Sequence, residues 1–281
     1  MMFDIQQFIQ QALYEDLHTQ GDHSAMACIP TDAQGKARLL VKDSGILAGV
    51  ALAQQIFHQV DPNLQIELLL HDGASIQKGD VAFIVSGNEQ AILKSERLVL
   101  NCMQRMSGIA TRTHQFVTAI AGTSARILDT RKTTPNFRYF EKWAVRIGGG
   151  TNHRFGLYDM IMIKDNHHDF CGGVRAAILR TQQYIEQNNF NIHIEIEVRN
   201  LDELQTVLDT GSVTRIMFDN FTPDIMYKAV QMVNHQYETE ASGGINLQTV
   251  RMYAETGVDF ISVGALTNGY PSLDLSLKAI K

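Results

Sequence analysis

The chain has 281 residues, 44% hydrophobic and 19% charged, with a formal net charge of −6 at pH 7. That length carries one large α/β domain or two unequal ones around a full core, and the acidic balance excludes a protein-wide nucleic-acid footprint. Three widely spaced cysteines, Cys28, Cys102 and Cys171, form no CxxC pair, which excludes a disulfide framework or zinc ribbon and fits a reducing cytoplasm.

The N-terminal stretch MMFDIQQFIQQALYEDL lacks a basic start followed by an apolar run, so it reads as an amphipathic helix rather than a signal peptide. No later window is apolar enough to span a membrane. KARLLVKDSGILAG and IELLLHDGASIQKGDVAFIVSG follow, strand-like runs broken by Gly45, Gly49, Gly73, Gly79 and Gly87. Their texture is that of half a barrel-sandwich. No lysine sits at a hairpin tip between two such halves, which argues against a lipoyl or biotin carrier. NEQAILKSERLVLNCMQRM then predicts a long helix with Ile92, Leu93, Val99, Met103 and Met106 as its core face.

From residue 125 the rhythm changes to strand, polar residue, loop and helix. RILD runs into Thr130, Arg131 and Lys132; YDMIMI ends at Lys164; NIHIEIEV carries Glu195 and Glu197; TRIMF ends at Asp219; YETEA ends in Ser242, Gly243 and Gly244; DFISV runs through Val263 to Gly264 and Ala265. Asn200 with Glu203, Thr222 before Pro223, and Asn246 mark helix starts, and Gly211 and Gly257 mark stops. Alternating strands and helices build a parallel sheet, and six decorated strand ends point to a β/α barrel with its site at that rim. No GxGxxG supports an open dinucleotide-binding sheet. In NIHIEIEV the period of two puts His193, Glu195 and Glu197 on one face, read as lining a polar mouth.

Between Arg126 and Lys164 stand Arg126, Arg131, Lys132, Arg138, Lys142, Arg146, Arg154 and Lys164, against Asp129, Glu141 and Asp159. A solvated helix face accounts for Arg138, Lys142 and Arg146. It does not account for Arg131, Lys132, Arg154 and Lys164, which sit at strand ends or in a glycine-rich loop and predict an anionic ligand. SGG and GA after the last two strands suit phosphate. Glu197 and Asp219, acids at adjacent strand ends, suit ribose hydroxyls or a magnesium ion carried by a polyphosphate. The adjacent histidines of DNHHDF lack the spacing of two ligands on one helix face and read as structural. His153 stays open between a structural and a site role.

DTRKTTP, EKWAVRIGGGTNHR, IKDNH, IEIEV, FDN, SGGI and VGALT occur in that order, preceded by YEDLHTQGD and SERLVLNCMQRMSGIAT. This ordered set resembles the quinolinate phosphoribosyltransferases, also called carboxylating nicotinate-nucleotide pyrophosphorylases, over nearly the whole chain. The resemblance implies an N-terminal α/β sandwich domain (1–107) and the open β/α barrel of type II phosphoribosyltransferases (108–281), with the C-terminal end packing back on the first domain. It implies transfer of phosphoribosyl from 5-phosphoribosyl-1-pyrophosphate (PRPP) to quinolinate, giving nicotinate mononucleotide, pyrophosphate and CO2 for NAD synthesis.

It further implies that Thr130, Arg131, Lys132, His153, Arg154 and Lys164 line the quinolinate pocket. Arg97 enters from the neighbouring subunit of a homodimer. Glu197 and Asp219 hold ribose and Mg²⁺, and Ser242, Gly243, Gly244, Val263, Gly264 and Ala265 hold the phosphate. Lys132, Glu197 and Asp219 are the catalytic candidates, and no nucleic-acid or membrane partner is implied. Two departures stand out. Asn268 replaces the family's usual histidine, and Asn136-Phe137 replaces Gly-Leu, where asparagine tolerates a left-handed backbone. Three rivals remain: transfer to nicotinate or another anionic base without decarboxylation, a Schiff-base lyase using Lys164, and a non-catalytic binding module.

Overall fold

A computed structural model describes residues 3–280. The chain divides into two compact units: residues 1–114, 139–149 and 270–281 form the first, and 115–138 with 150–269 the second. The C-terminal segment belongs to the first unit, as the resemblance implies, and residues 139–149 belong to it as well.

The first unit opens with α1 (Ile5–Leu17) and α2 (His23–Cys28), capped by the carboxylates of Asp4 and Asp22. β1 (Gln34–Val41), β2 (Gly45–Ile46), α3 (Val50–Val60), β3 (Gln65–Leu68), β4 (Ser75–Ile76) and β5 (Val81–Asn88) follow. Ala37, Leu39 and Val41 alternate inward along β1 and are buried, as a half-covered sheet demands. Behind them Phe57 of α3 meets Phe83 of β5 edge-on, with ring centroids 5.8 Å apart.

The predicted long helix is α4 (Glu89–Ala119), and it runs on through Gly108. A Cβ there would lie 2.3 Å from the carbonyl oxygen of Pro271, so glycine at this point permits close packing of the 270–272 segment rather than ending the helix. Ile92, Val99, Met103 and Met106 are buried, but Leu93 is 41% exposed and leaves the expected core set.

Most of the helix over 138–147 also joins this unit. In α5 (Arg138–Ile147), Tyr139 stacks on Phe3 at 4.7 Å and Phe140 meets Phe8 at 4.6 Å. Glu141 is fully buried and accepts the Nε–H of Arg105 at 2.9 Å. Lys142 is buried too, so the solvated-face reading fails for it and holds only for Arg146. Arg138 is half-buried, donating from Nε to Thr133 Oγ1 and from Nη1 to the Phe155 carbonyl. The C-terminal strand completes an antiparallel sheet by pairing with β1, Leu39 opposite Leu277.

The second unit contains β6 (Arg126–Leu128), β7 (Ile161–Ile163), α6 (Asp165–Cys171), α7 (Val174–Asn188), β8 (Ile194–Val198), α8 (Leu201–Thr210), β9 (Arg215–Asp219), α9 (Pro223–Val233), β10 (Glu238–Ser242), α10 (Val250–Ala254) and β11 (Phe260–Ser262); β12 (Leu275–Ile280) is the terminal strand of the first unit. The six predicted strands form one parallel sheet in the order β6-β11-β10-β9-β8-β7. Thr151 bridges to Leu128 on the outer side of β6, and among the described residues no ladder joins Thr151 to β7. The barrel is therefore open at that seam.

The expected caps are present. Asn200 Oδ1 accepts the Glu203 N–H, Thr222 precedes Pro223 at the start of α9, and Gly211 and Gly257 have positive φ. Asn246 Oδ1 accepts N–H groups of Gln248 and Thr249 in a turn leading into α10, which is shorter than its apolar pattern. Asn136 takes φ 63°, the left-handed conformation its side chain tolerates. Among the described residues no helix is long and apolar enough to cross a membrane.

Candidate active site

The strand order fixes what stands beside what at the C-terminal rim of the barrel. Starting at β7, the rim runs through Lys164 just beyond it, Glu197 near the end of β8, Asp219 at the end of β9, Ser242–Gly244 at and beyond the end of β10, Gly264–Ala265 beyond β11, and Thr130–Lys132 beyond β6. The 151–154 loop closes the circuit, docked on β6 through Thr151. These segments enclose a cavity of ≈ 900 Å³.

Of the residues the resemblance assigned to ligands in this unit, all line that cavity except Val263, which is buried with its N–H spent on the Leu128 carbonyl. Arg97 is exposed on α4 in the other unit. His193 is also off the site. It precedes β8 at the opposite end of the barrel and is exposed, so the row of three polar residues does not line the mouth. Of that row only Glu197 reaches the cavity.

The cationic side is built from the buried carboxylate of Asp129. Its Oδ1 accepts the His153 N–H at 2.8 Å and its Oδ2 accepts from Asn152 Nδ2 at 2.6 Å, pinning the loop to the end of β6. Arg154 is aimed by donation from Nη1 to the Met160 carbonyl. Burial first, and the charge of Arg131 second, lower its pKa. Lys132 lies across Gly264, and its carbonyl accepts from Thr267 Oγ1 at 2.8 Å. Lys164 Nζ is 3.5 Å from Glu197 Oε2. Glu197 has a raised pKa, owed to burial foremost and opposed by Lys164.

Below the cavity lies a buried network that sequence reasoning missed. His153 Nε2 is 3.0 Å from Glu195 Oε2 and 3.4 Å from Glu240 Oε2, and Glu240 also accepts from Arg215 Nη1 at 3.1 Å. Arg154 N–H donates to His153 Nδ1 at 2.6 Å, so the ring stands with its proton on Nε2, facing the carboxylates. His153 lines the cavity, yet both its ring nitrogens already face protein atoms. Burial disfavours its charged form, but hydrogen bonds accepted from it by Glu195 and Glu240 outweigh that and push its pKa up to about 9. A second proton, on Nδ1, would cost the Arg154 N–H its acceptor, so that contact opposes the upward shift.

Among the described residues these three also form the one group close enough to hold a metal, but a cation there would displace the Nε2 proton. Applying the period of two to β9 and β10 would have found Met217 and Glu240, which line the cavity two residues before Asp219 and Ser242. In DNHHDF, His167 Nδ1 accepts the Lys164 N–H and His168 is buried, which is the structural role expected.

Burial foremost, with the charge of Glu240 adding to it, pushes Glu195 up to about 7. An acid raised in the folded state contributes stability below its unfolded pKa that is lost as pH rises through the folded one. Urea unfolding should therefore show wild type losing stability relative to Glu195→Gln between about pH 4.5 and pH 7 and above, by on the order of 1–3 kcal/mol. Parallel profiles would mean that Glu195 titrates in the fold as it does in the unfolded chain.

Comparison with known proteins bears on this site. The model "Quinolinate phosphoribosyl transferase, C-terminal domain" matches residues 109–278, and its N-terminal counterpart matches 22–107. The chain belongs to the quinolinate phosphoribosyltransferase family. It is 46% identical over 290 residues to the Nicotiana tabacum protein "Quinolinate phosphoribosyltransferase [decarboxylating] 2b, mitochondrial", covering 98% of this chain and 82% of that one. It is 40% identical to the "Probable nicotinate-nucleotide pyrophosphorylase [carboxylating]" of Bacillus subtilis, covering 96% and 90%. The solved nicotinate-nucleotide pyrophosphorylase from Francisella tularensis superposes with a TM-score of 0.91 at 36% identity, covering 98% and 96%. The N-terminal sandwich and open barrel expected of a quinolinate phosphoribosyltransferase are thus the observed fold.

Proposed function

We propose that this protein transfers the phosphoribosyl group of PRPP to quinolinate with decarboxylation, yielding nicotinate mononucleotide, pyrophosphate and CO2. The observation that carries this reading is charge order around one rim. Arg131, Arg154, Lys132 and Lys164 crowd the seam side, followed by Glu197, Asp219 and two small-residue loops. A pyridine with two adjacent carboxylates answers the first group, and a ribose bearing phosphate and pyrophosphate answers the rest.

In this reading Arg131 and Arg154 clamp the carboxylates. The ring nitrogen attacks C1′ of the ribose as the bond from C1′ to pyrophosphate breaks, and Lys132 balances the charge that departs. The ring nitrogen is then cationic and stabilises the electron pair left on the adjacent carbon when its carboxylate departs as CO2, until that carbon takes a proton from solvent. The chain's work is placement of charge and orientation.

Glu197 and Asp219 offer hard oxygen donors at adjacent strand ends, a fit for Mg²⁺ that retains its other ligands from water and phosphate. Mg²⁺ would supply charge neutralisation on the pyrophosphate. Asp219→Ala should impair PRPP binding and its Mg²⁺ dependence in calorimetry while sparing quinolinate. A selective loss of quinolinate affinity would overturn the assignment.

Two copies sharing sites, with Arg97 reaching into the partner's pocket, complete the proposal, supported by the exposure of Arg97 on α4. A reducing, cytoplasmic setting suits the three free cysteines, of which Cys28 is exposed. The pairing of Lys164 Nζ with Glu197 Oε2 suits an ion-pairing role at the rim better than that of a Schiff-base nucleophile. The deciding assay compares quinolinate with nicotinate as acceptor for PRPP and Mg²⁺. CO2 release with quinolinate alone supports this reading, and efficient use of nicotinate would replace it with simple transfer.

A further inference from the structure

Asn220 follows Asp219 at the end of β9, and nothing in its position is idle. Its backbone sits in the left-handed region at φ 56°, which asparagine adopts more readily than most side chains. Its N–H donates to the Ser242 carbonyl at 2.9 Å, tying the end of β9 to the end of β10 one step further than the strand ladder. Its side-chain Nδ2 donates to Asp219 Oδ2 at 2.7 Å. That bond occupies one carboxylate oxygen and leaves the other for a ligand.

On its far side the same amide packs against Gly243. A Cβ at 243 would lie 2.2 Å from Asn220 Oδ1, 2.6 Å from its Cγ and 2.9 Å from its backbone nitrogen. Gly243 itself has φ 100°, so glycine is required there both for conformation and for the approach of Asn220. Asn220, Asp219, Ser242, Gly243 and Gly244 all line the one cavity.

We propose that Asn220 is a positioning residue that aims the Asp219 carboxylate and holds the Ser242–Gly244 turn against it, so that acid and turn meet one phosphorylated sugar as a single surface. This rests on the reading above that the cavity takes PRPP. An exposed amide beside a carboxylate is often only a local contact. Here three ties on one residue argue otherwise: its left-handed backbone, its N–H on the neighbouring strand, and its amide between Asp219 and Gly243.

Three single variants separate the ties. Asn220→Gly keeps the left-handed backbone without strain and removes only the amide. Asn220→Asp keeps the shape and turns the donor into a second carboxylate facing Asp219. Gly243→Ala pushes on the amide from the other side. Calorimetry with PRPP and Mg²⁺ on Asn220→Gly should show affinity falling about tenfold, as expected for a lost bond to a charged group, with Asn220→Asp falling further. Quinolinate affinity should stay within about twofold of wild type, which also reports an intact fold. In steady state the KM for PRPP should rise with the KM for quinolinate unmoved.

Gly243→Ala should cost less in the Asn220→Gly background than alone, because the amide it strikes is gone; contacting residues are coupled in this way. Unchanged PRPP affinity in Asn220→Gly would overturn the proposal, as would equal losses for both ligands or strictly additive effects in the double variant. Wild type failing to bind PRPP would instead refute the ligand reading on which the proposal stands, and the proposal with it.

Discussion

Arg131→Ala and Arg154→Ala each weaken quinolinate binding by about tenfold or more while PRPP binding holds. The size follows from the loss of a charge-assisted contact, roughly 1.5–3 kcal/mol. The selectivity follows from the rim. Both arginines lie on the stretch from β6 to β7, whereas Glu197, Asp219 and the two small-residue loops follow on strands β8 to β11. Arg154 should show the larger effect on quinolinate, since it is partly buried and its guanidinium is already held by the Met160 carbonyl, whereas Arg131 is exposed. Calorimetry with each ligand alone measures this. Equal losses for both ligands, or none for either, would remove quinolinate from this side of the cavity.

The second large effect is recovery rather than loss. Arg97→Ala and Arg131→Ala proteins should each be folded and poorly active. Mixed under conditions that exchange subunits, they form dimers in which one site carries both arginines and the other carries neither. If random exchange makes half the dimers mixed, activity should climb towards about a quarter of wild type, assuming independent sites in a closed two-fold dimer. Nothing in the local pattern around Arg97 demands this. Its exposure on α4 is ordinary for arginine. The expectation comes from the family and tests whether this chain keeps it. Demonstrated exchange with no rise in activity would confine Arg97 to its own chain or to no role.

The rim was legible because each barrel strand announces its end with a polar residue or glycine, and the period of two assigns the faces. Thr130 to Lys132, Lys164, Glu197, Asp219 and both small-residue loops needed nothing more. The network of His153, Glu195, Glu240 and Arg215 was not legible, because its members come from three strands and a loop and meet only when the sheet forms. The same limit hid the membership of α5 in the first unit. Phe140 and Glu141 read as ordinary helix positions until Phe3, Phe8 and Arg105 supply their partners. The helix read as far as Met106 runs on to Ala119, through a Gly108 whose missing side chain admits the 270–272 segment. His193 shows the cost of extending a correct alternation one residue beyond the strand.

Incubation of the purified protein with quinolinate, PRPP and Mg²⁺, followed by mass spectrometry with CO2 collected in parallel, tests the central claim most directly. Nicotinate mononucleotide, pyrophosphate and CO2 should appear in equal amounts, and none should form when any one substrate is withheld. A phosphoribosyl product that keeps both carboxylates, or no product from a folded protein that binds both substrates, would contradict it.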